Sequence, residues 1–195
     1  MLSSVNCLLF DMDGTLTKPA LDFEYIKQDM QIPSNISILE YIDNHATAEN
    51  KKHLFDILDK HEVFAAENTQ PNDGFNELMH FLNERNFKIG VLTRNSKKSA
   101  KITLNILGFV PDLLISREDS PYKPKPDAIL KAIKELDANP EETLMIGDFK
   151  YDVIAGRNAG CFTCFITNYK EEYDCDKADF IINTLADLPK LLKNV

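Results

Sequence analysis

The stretch that decides the fold is Val5-Asn6-Cys7-Leu8-Leu9-Phe10-Asp11-Met12-Asp13-Gly14-Thr15. Its first six residues are mostly apolar and predict a buried strand, and two carboxylates follow where that strand leaves the sheet. Such a strand delivers Asp11 and Asp13 to the end of the sheet, where a crevice can form. From this fragment alone, an ordinary acidic turn closed by Gly14 is an equal alternative, whereas an EF-hand calcium loop lacks its helix-flanked pattern of oxygen ligands.

The chain after Asn72 alternates between short apolar runs and helical patterns, which is typical of βαβ units and a parallel sheet. Further strands are predicted at residues 87–92, 113–115, 143–146, 161–166 and 180–182, with helices between them and a closing helix to Leu192. The predicted fold class is therefore α/β, with a Rossmann-like parallel sheet flanked by helices.

The segment between Thr17 and Gln70 departs from this alternation, because its apolar residues carry only helical spacing. We predict two units: an α/β core formed by residues 1–16 and 72–195, and a small all-helical insertion at residues 17–71, which we call the cap. The cap interrupts the core near the carboxyl end of a strand, the edge at which open parallel sheets bind ligands. That position suits a lid.

Charge and composition exclude several classes of function. The chain has 195 residues, with 31 acidic and 22 basic side chains and a net charge of −9. Nucleic acid and anionic membranes need clustered Lys and Arg, so neither is an expected partner. The first residues do not have the pattern of a signal peptide, and four cysteines in such a chain favour reduced thiols. We expect a cytoplasmic protein that is a monomer or a weak homodimer.

A second acidic motif, Gly147-Asp148-Phe149-Lys150-Tyr151-Asp152, begins where the predicted strand at 143–146 ends. Mg²⁺ prefers oxygen ligands and is commonly held by one or two carboxylates together with the oxygens of a bound phosphate. Asp11 and Asp148 would supply that arrangement if their two strands are neighbours in the sheet.

Two further motifs follow predicted strands. Val91-Leu92-Thr93-Arg94-Asn95 places a hydroxyl, a guanidinium and an amide before a helix, whose free N–H groups favour anions, although these residues could simply cap the helix. Tyr122-Lys123-Pro124-Lys125-Pro126-Asp127 fixes a lysine before another helix, and alone it is a weak signal. Because all four motifs follow strands of one parallel sheet, we expect them to form one site.

In order and in residues, these motifs resemble those of the haloacid dehalogenase-like (HAD) superfamily. Its phosphatases carry D-x-D-G-T, a hydrophobic strand ending in Thr or Ser, a Lys, and G-D-x-x-x-D, and the resemblance spans nearly the whole chain. It extends to the phosphoglycolate phosphatase-like subgroup with a helical cap. The resemblance implies a Mg²⁺-dependent phosphatase that acts on a small phosphorylated metabolite through an aspartyl-phosphate intermediate.

The resemblance also assigns catalytic roles. Asp11 is the nucleophile, and Asp13 protonates the leaving oxygen and later activates water. That acid is needed for an alkoxide leaving group and not for a halide, which argues against a dehalogenase. Thr93 hydrogen-bonds a phosphoryl oxygen, and Lys123 neutralises charge. We prefer Lys123 to Lys125 because the family pattern is usually K-P-x-P.

For the metal, the resemblance implies Mg²⁺ bound by the Asp11 carboxylate, the Asp13 main-chain carbonyl and Asp148. Asp152 orients Lys123 or a metal-bound water. Asn95 and Gly147 are predicted to support the site.

Two departures from the family pattern point to substrate contacts. Family phosphatases often have Thr-Asn where this chain has Thr93-Arg94-Asn95, so Arg94 could reach a second anionic group on the substrate or could be a solvated loop arginine. After residues 11–16, family members frequently have Asp-Ser where this chain has Thr17-Lys18. We take Lys18, Arg94 and Arg117 as candidate substrate contacts.

Two alternative functions share these motifs. A sugar phosphomutase of the β-phosphoglucomutase type has the same acids and differs mainly in the lifetime of its aspartyl-phosphate. A non-catalytic phospho-ligand-binding protein would keep the fold, but such proteins usually lack the nucleophile or the acid, and both are present here.

Overall fold

The centre of the molecule is a parallel sheet. The computed structural model describes residues 4–175 and 177–192. Within these residues the sheet has six strands in the order β3-β2-β1-β4-β5-β6. The strands are β1 (Cys7–Phe10), β2 (Lys88–Leu92), β3 (Leu113–Ile115), β4 (Thr143–Gly147), β5 (Phe162–Ile166) and β6 (Phe180–Ile182). The predicted α/β class, with a Rossmann-like parallel sheet, is confirmed.

Helices cover both faces of this sheet. The helices outside the cap are α4 (Phe75–Asn83), α5 (Lys97–Ile106), α6 (Asp127–Glu135), α7 (Lys150–Asn158) and α8 (Leu188–Leu192). Apolar residues of α4, α5 and α8 share one buried cluster with Leu8 and Phe10, whereas those of α6 and α7 share another with Cys7 and Leu9. All four residues of β1 are buried because successive side chains of a strand point to opposite, equally covered faces.

The strand register brings the carboxyl ends of three strands into line. Phe10 of β1 lies opposite Val91 of β2 on one side and opposite Ile146 of β4 on the other. The main-chain N–H of Asp11 then donates to the Ile146 carbonyl at 2.9 Å. The strands that precede Asp11 and Asp148 are therefore neighbours, as the metal prediction required.

The cap folds into three helices: α1 (Phe23–Asp29), α2 (Ile38–His45) and α3 (Ala48–Glu67). They have their own apolar cluster, which includes Ile26, Ile42 and Leu58. Thr17 and Pro71, at the two predicted ends of the cap, pair through an isolated antiparallel bridge. The division into a core and a cap stays a prediction, and the outermost residues of the predicted core, 1–3 and 193–195, lie outside the described residues.

The observed elements differ from the predictions mainly at their ends. The first strand begins at Cys7 and not at Val5. The apolar spacing also predicts a helix over residues 125–137, and the structure has this helix at Asp127–Glu135. A proline disfavours helical backbone at the residue before it, so Pro126 delays the start of that helix. Among residues 4–175 and 177–192, no helix combines the length and the apolar character that crossing a membrane requires.

Candidate active site

The four sequence motifs meet in one cavity of about 510 Å³ that is lined by residues of both the core and the cap. The charged residues of its lining are Asp11, Asp13, Lys27, Glu62, Arg94, Lys123, Asp148, Asp152 and Lys170. Thr93 and Asn95 also line it. We expected these motifs to form one site because they follow strands of one parallel sheet, and residues of all four motifs line this cavity.

Lys123 lies at the centre of the site. Its Nζ donates to the Asp11 carboxylate, lies 2.6 Å from Asp152 Oδ1 and donates to the Leu92 carbonyl at 3.0 Å. Only 3% of its side chain is exposed. Burial on its own lowers the pKa of Lys123, but the carboxylates of Asp11 and Asp152 outweigh burial, so the net shift is upward. The lysine is therefore a fixed positive charge.

The Asp13 carboxyl lies beside Asn95, whose Nδ2 donates to Asp13 Oδ2 at 2.8 Å. Burial, followed by repulsion from the charge of Glu62, raises the pKa of Asp13 to about 7. Asn95 also donates its main-chain N–H to Thr93 Oγ1 at 3.1 Å, which leaves the Thr93 hydroxyl proton free to donate elsewhere. A carboxyl group with this pKa can hold or accept a proton near neutral pH.

Three carboxylates form a cluster in which Asp11, Asp148 and Asp152 offer oxygens within 4.8 Å of one another. Burial, followed by repulsion from Asp152, raises the pKa of Asp148 to about 6. The pKa of Asp11 is also raised well above its usual value, mainly by burial, although Lys123 opposes the shift. Three carboxylates can carry more negative charge than the two lysines that contact them, Lys123 and Lys170, can offset, and their oxygens are the ligands that a hard divalent cation prefers. The donor set fits Mg²⁺.

Two glycines allow the acids to approach this closely. A Cβ built on Gly14 would lie 2.4 Å from Asp148 Oδ2, and the backbone of Gly14 has a φ of +79°. A Cβ on Gly147 would lie 2.2 Å from Asp152 Oδ2. The predicted supporting role of Gly147 thus has a steric basis, because a side chain there would displace Asp152.

The structure brings one of the three candidate substrate contacts to the cavity. Arg94 lines the cavity, whereas Lys18 does not and pairs with Asp73 at 3.0 Å. Arg117 is also absent from the lining, and its side chain is only 6% exposed. It pairs with Glu62 and Asp59 of α3, as a buried guanidinium requires. The contacts of Lys18 and Arg117 are therefore with the protein's own acids.

Sequence reasoning missed the residues that hold the turn after β1. Asn72 Nδ2 donates to the carbonyls of Gly14 and Thr15, each at 2.9 Å, and Asn168 Nδ2 donates to the Gly14 carbonyl at 2.8 Å. Nothing in the local sequence connects these two asparagines to a turn so far away in the chain.

Glu62 was also missed, although a signal was present. It follows Leu54 and Leu58 at four-residue spacing, so an acid occupies the apolar face of α3. Its side chain is 3% exposed and accepts from the main-chain N–H of Ser96 at 2.9 Å. A buried acid on an apolar helix face indicates a specific partner, which here includes Arg117.

These features define a class of protein. The chain belongs to the haloacid dehalogenase-like hydrolase family, whose model matches residues 5–160. The predicted HAD resemblance is thus confirmed, and its phosphoglycolate phosphatase-like subgroup stays a prediction.

Individual relatives agree with this class. The haloacid dehalogenase-like hydrolase domain-containing protein At2g33255 of Arabidopsis thaliana is 31% identical over 204 residues, which cover 95% of this chain and 83% of that protein. A protein named pyrophosphatase PpaX, from Bacillus mycoides (strain KBAB4), is 26% identical over 225 residues, with 98% of each chain covered. A hydrolase from Pseudomonas syringae has a similar fold, with a TM-score of 0.80, 23% identity, and 97% of this chain and 99% of that chain covered.

Proposed function

We propose that this chain is a Mg²⁺-dependent phosphatase that hydrolyses a small phosphorylated metabolite through an aspartyl-phosphate intermediate. The observation that carries the proposal is the Asp11 carboxylate, which lines the cavity, is held by Lys123 and lies beside the carboxylates of Asp148 and Asp152. A carboxylate fixed in this way is preorganised to attack a phosphorus atom. In this proposal the chain acts as a monomer or weak homodimer, without nucleic acid or membrane.

In the first step an Asp11 oxygen bonds to phosphorus, and the bond from phosphorus to the ester oxygen breaks. Asp13 gives its proton to that leaving oxygen, for which its pKa of about 7 suits it. In the second step Asp13, now a carboxylate, takes a proton from water as the water attacks phosphorus. The bond between phosphorus and the Asp11 oxygen breaks, inorganic phosphate leaves, and the Asp11 carboxylate is restored.

Lys123 and Thr93 act on the charge of the transferring group. The ammonium group of Lys123 neutralises the Asp11 carboxylate and can also interact electrostatically with a phosphoryl oxygen. The Thr93 hydroxyl accepts from the main-chain N–H of Asn95 and can donate to another such oxygen. Asp152 acts as a positioning residue, because one of its oxygens contacts Lys123 and the other accepts from the Phe149 main-chain N–H at 3.2 Å.

Asp11 and Asp148 would hold the Mg²⁺, together with the Asp13 main-chain carbonyl that the family pattern supplies. When bound, the ion neutralises the charge of the phosphoryl group and of the carboxylates around it. Gly14 keeps the space beside Asp148 open, and Thr15 Oγ1 lies 3.5 Å from Asp148 Oδ1.

The test is phosphate release from a panel of small phosphate esters, pyrophosphate included, with Mg²⁺ and with EDTA. We expect turnover that needs Mg²⁺ and that Asp11→Asn abolishes, because the amide is a poor nucleophile. Asp73→Asn is the matched control, since Asp73 is 63% exposed and lies outside the cavity. Turnover by folded Asp11→Asn would contradict the assignment. Transfer of the phosphoryl group to another oxygen of the substrate would favour the phosphomutase.

A further inference from the structure

Arg94 differs from the other cations of the cavity in its partners. Lys27 pairs with Glu24 at 2.9 Å, Lys170 lies 3.4 Å from an Asp148 oxygen, and Lys123 is held between two carboxylates. Among the residues that the structure describes, no carboxylate lies within 4.0 Å of the Arg94 guanidinium, although this half-buried group lines the cavity.

Other contacts hold the guanidinium in place without neutralising it. Its Nη2 donates to Ser37 Oγ at 2.9 Å, and its Cζ lies 5.1 Å from the ring centroid of Tyr122 and 5.3 Å from that of Tyr151. Aromatic faces attract a cation and fix its plane, but they offer no oxygen to its N–H groups. A guanidinium has five N–H donors, so most of them remain available for a ligand.

Two acids of α2 have the tyrosines beside Arg94 as partners. Tyr122 donates its hydroxyl to Asp43 Oδ2 at 2.6 Å, and Tyr151 donates to Glu40 Oε1 at 3.4 Å. The two tyrosines thus engage acids of α2 and leave the charge of Arg94 to face the cavity. Ser37 is the N-cap of α2 and makes no capping hydrogen bond, so the positive end of this helix adds to the field of Arg94.

We propose that Arg94 binds a second anionic group of the substrate, a carboxylate or a second phosphate. This inference rests on the proposed function, in which the first phosphoryl group lies at Asp11. Thr93 and Arg94 are adjacent in the chain, and the cavity wall includes apolar residues, among them Leu21, Phe23, Ile38 and Leu39. The substrate class is therefore a short, mostly carbon skeleton with a phosphate ester at one end and a planar or tetrahedral oxyanion at the other. A guanidinium suits either oxyanion, because its parallel N–H groups form paired hydrogen bonds.

The turnover assay uses matched pairs of phosphate esters. One pair is 3-phosphooxypropanoate and its primary amide, and the other is propane-1,3-diol bisphosphate and the monophosphate. Homologues with one carbon more or fewer vary the reach, and comparison of the two pairs tells a carboxylate from a second phosphate. We expect kcat/KM to be higher for the anionic member of a pair, mainly through a lower KM.

Arg94→Gln tests the residue itself. A hydrogen bond between charged groups should make kcat/KM roughly tenfold to hundredfold higher for the anionic member of a pair than for the neutral member. We expect Arg94→Gln to lower this ratio by the same factor. Arg94→Lys keeps the charge but not the planar fork, and we expect it to retain part of the ratio. Arg85→Gln is the matched control, because Arg85 also stacks on an aromatic ring, that of Phe81, but lies outside the cavity.

A merely structural arginine, one that only docks α2, predicts a different result. Arg94→Gln would then change both members of a pair equally, and an unchanged ratio in that variant, or equal use of both members by the wild type, would overturn the inference.

Binding of non-hydrolysable phosphonates by titration calorimetry separates this inference from the proposed function. With 3-phosphonopropanoate and its amide as probes, tighter binding of the carboxylate that is lost in Arg94→Gln supports the Arg94 site even if no ester is hydrolysed. Absence of ester turnover would contradict only the phosphatase. Equal affinity for the two probes would overturn the Arg94 site even if esters are hydrolysed.

Discussion

Replacing Arg117 with Met should destabilise the protein strongly, because it removes the partner of a buried acid. The Arg117 side chain is 6% exposed and pairs with Glu62, which is 3% exposed, and with the more exposed Asp59. The substitution keeps much of the apolar stem and deletes the charge. Glu62 would keep its hydrogen bond from the Ser96 main-chain N–H but would lose its counter-ion.

The expected loss can be worked from these burials. Breaking a buried ion pair by removing one partner costs about 3–5 kcal/mol, because the remaining charge is left without compensation. The contact with Asp59, whose side chain is 45% exposed, adds little. For a chain of 195 residues, each kcal/mol lowers Tm by about 2–4 °C, so we expect a decrease of roughly 6–20 °C.

The loss should also depend on pH. Burial already raises the pKa of Glu62 above its usual value although Arg117 opposes the shift, and without Arg117 the pKa should rise further. An acid whose pKa is higher in the folded than in the unfolded state contributes stability below its unfolded pKa and loses it as the pH rises through the folded pKa. Arg117→Met should therefore be more destabilised at about pH 8 than at about pH 5.

Urea denaturation of four proteins at both pH values provides the assay. They are the wild type, Arg117→Met, the double variant Glu62→Met/Arg117→Met, and Arg85→Met as an exposed-arginine control. Replacing both members of a buried pair by apolar residues is often neutral, so the double variant should regain most of the lost stability. Stability of Arg117→Met within about 1 kcal/mol of the wild type at the higher pH, or no recovery in the double variant, would refute the reasoning.

Two further results are expected. If Asp13, with its pKa of about 7 in the free protein, donates the proton, kcat/KM should fall as the pH rises above that value. Glu62→Gln should move this limb of the kcat/KM profile to lower pH because it removes a nearby negative charge, and an unshifted limb would count against the electrostatic coupling. Gly14→Ala should fold but need far more Mg²⁺ for turnover, because its Cβ would collide with Asp148. Gly108→Ala is the control, since Gly108 also has a positive φ, +62°, but no atom of the described residues, beyond its immediate neighbours, lies within 4 Å of a Cβ built there. An equal Mg²⁺ requirement in the two variants would argue against the steric reason.

The core of the site could be predicted because its information is local. Each motif follows an apolar strand, and parallel strands present their carboxyl ends at one edge, so the meeting of Asp11, Thr93, Lys123 and Asp148 follows from the alternation of elements alone. Even the adjacency of β1 and β4, which the metal prediction assumed, is typical of a sheet in which the chain reverses direction beside its first strand.

The cap could not be predicted to the same depth. Its helices were evident from apolar spacing, but the side chains that it directs at the core depend on how α2 and α3 pack, which no local pattern records. Arg117 shows the difficulty, since a loop arginine near the motifs has the same sequence signature whether it binds a substrate or a buried acid. Its partner, Glu62, lies 55 residues earlier in the chain.

The position of Glu62 couples cap packing to the chemistry of the core. Its carboxylate accepts from the main-chain N–H of Ser96, the N-cap of α5, and pairs with Arg117, so it fixes α3 against the core. The same charge helps to raise the pKa of Asp13. If α3 moved away, water would enter and the charge would recede, and both changes would return that pKa toward its ordinary value. The docked cap is thus the arrangement in which Asp13 can keep a proton near neutral pH, and in the proposed mechanism the buried acid of α3 would help Asp13 to act as the proton donor.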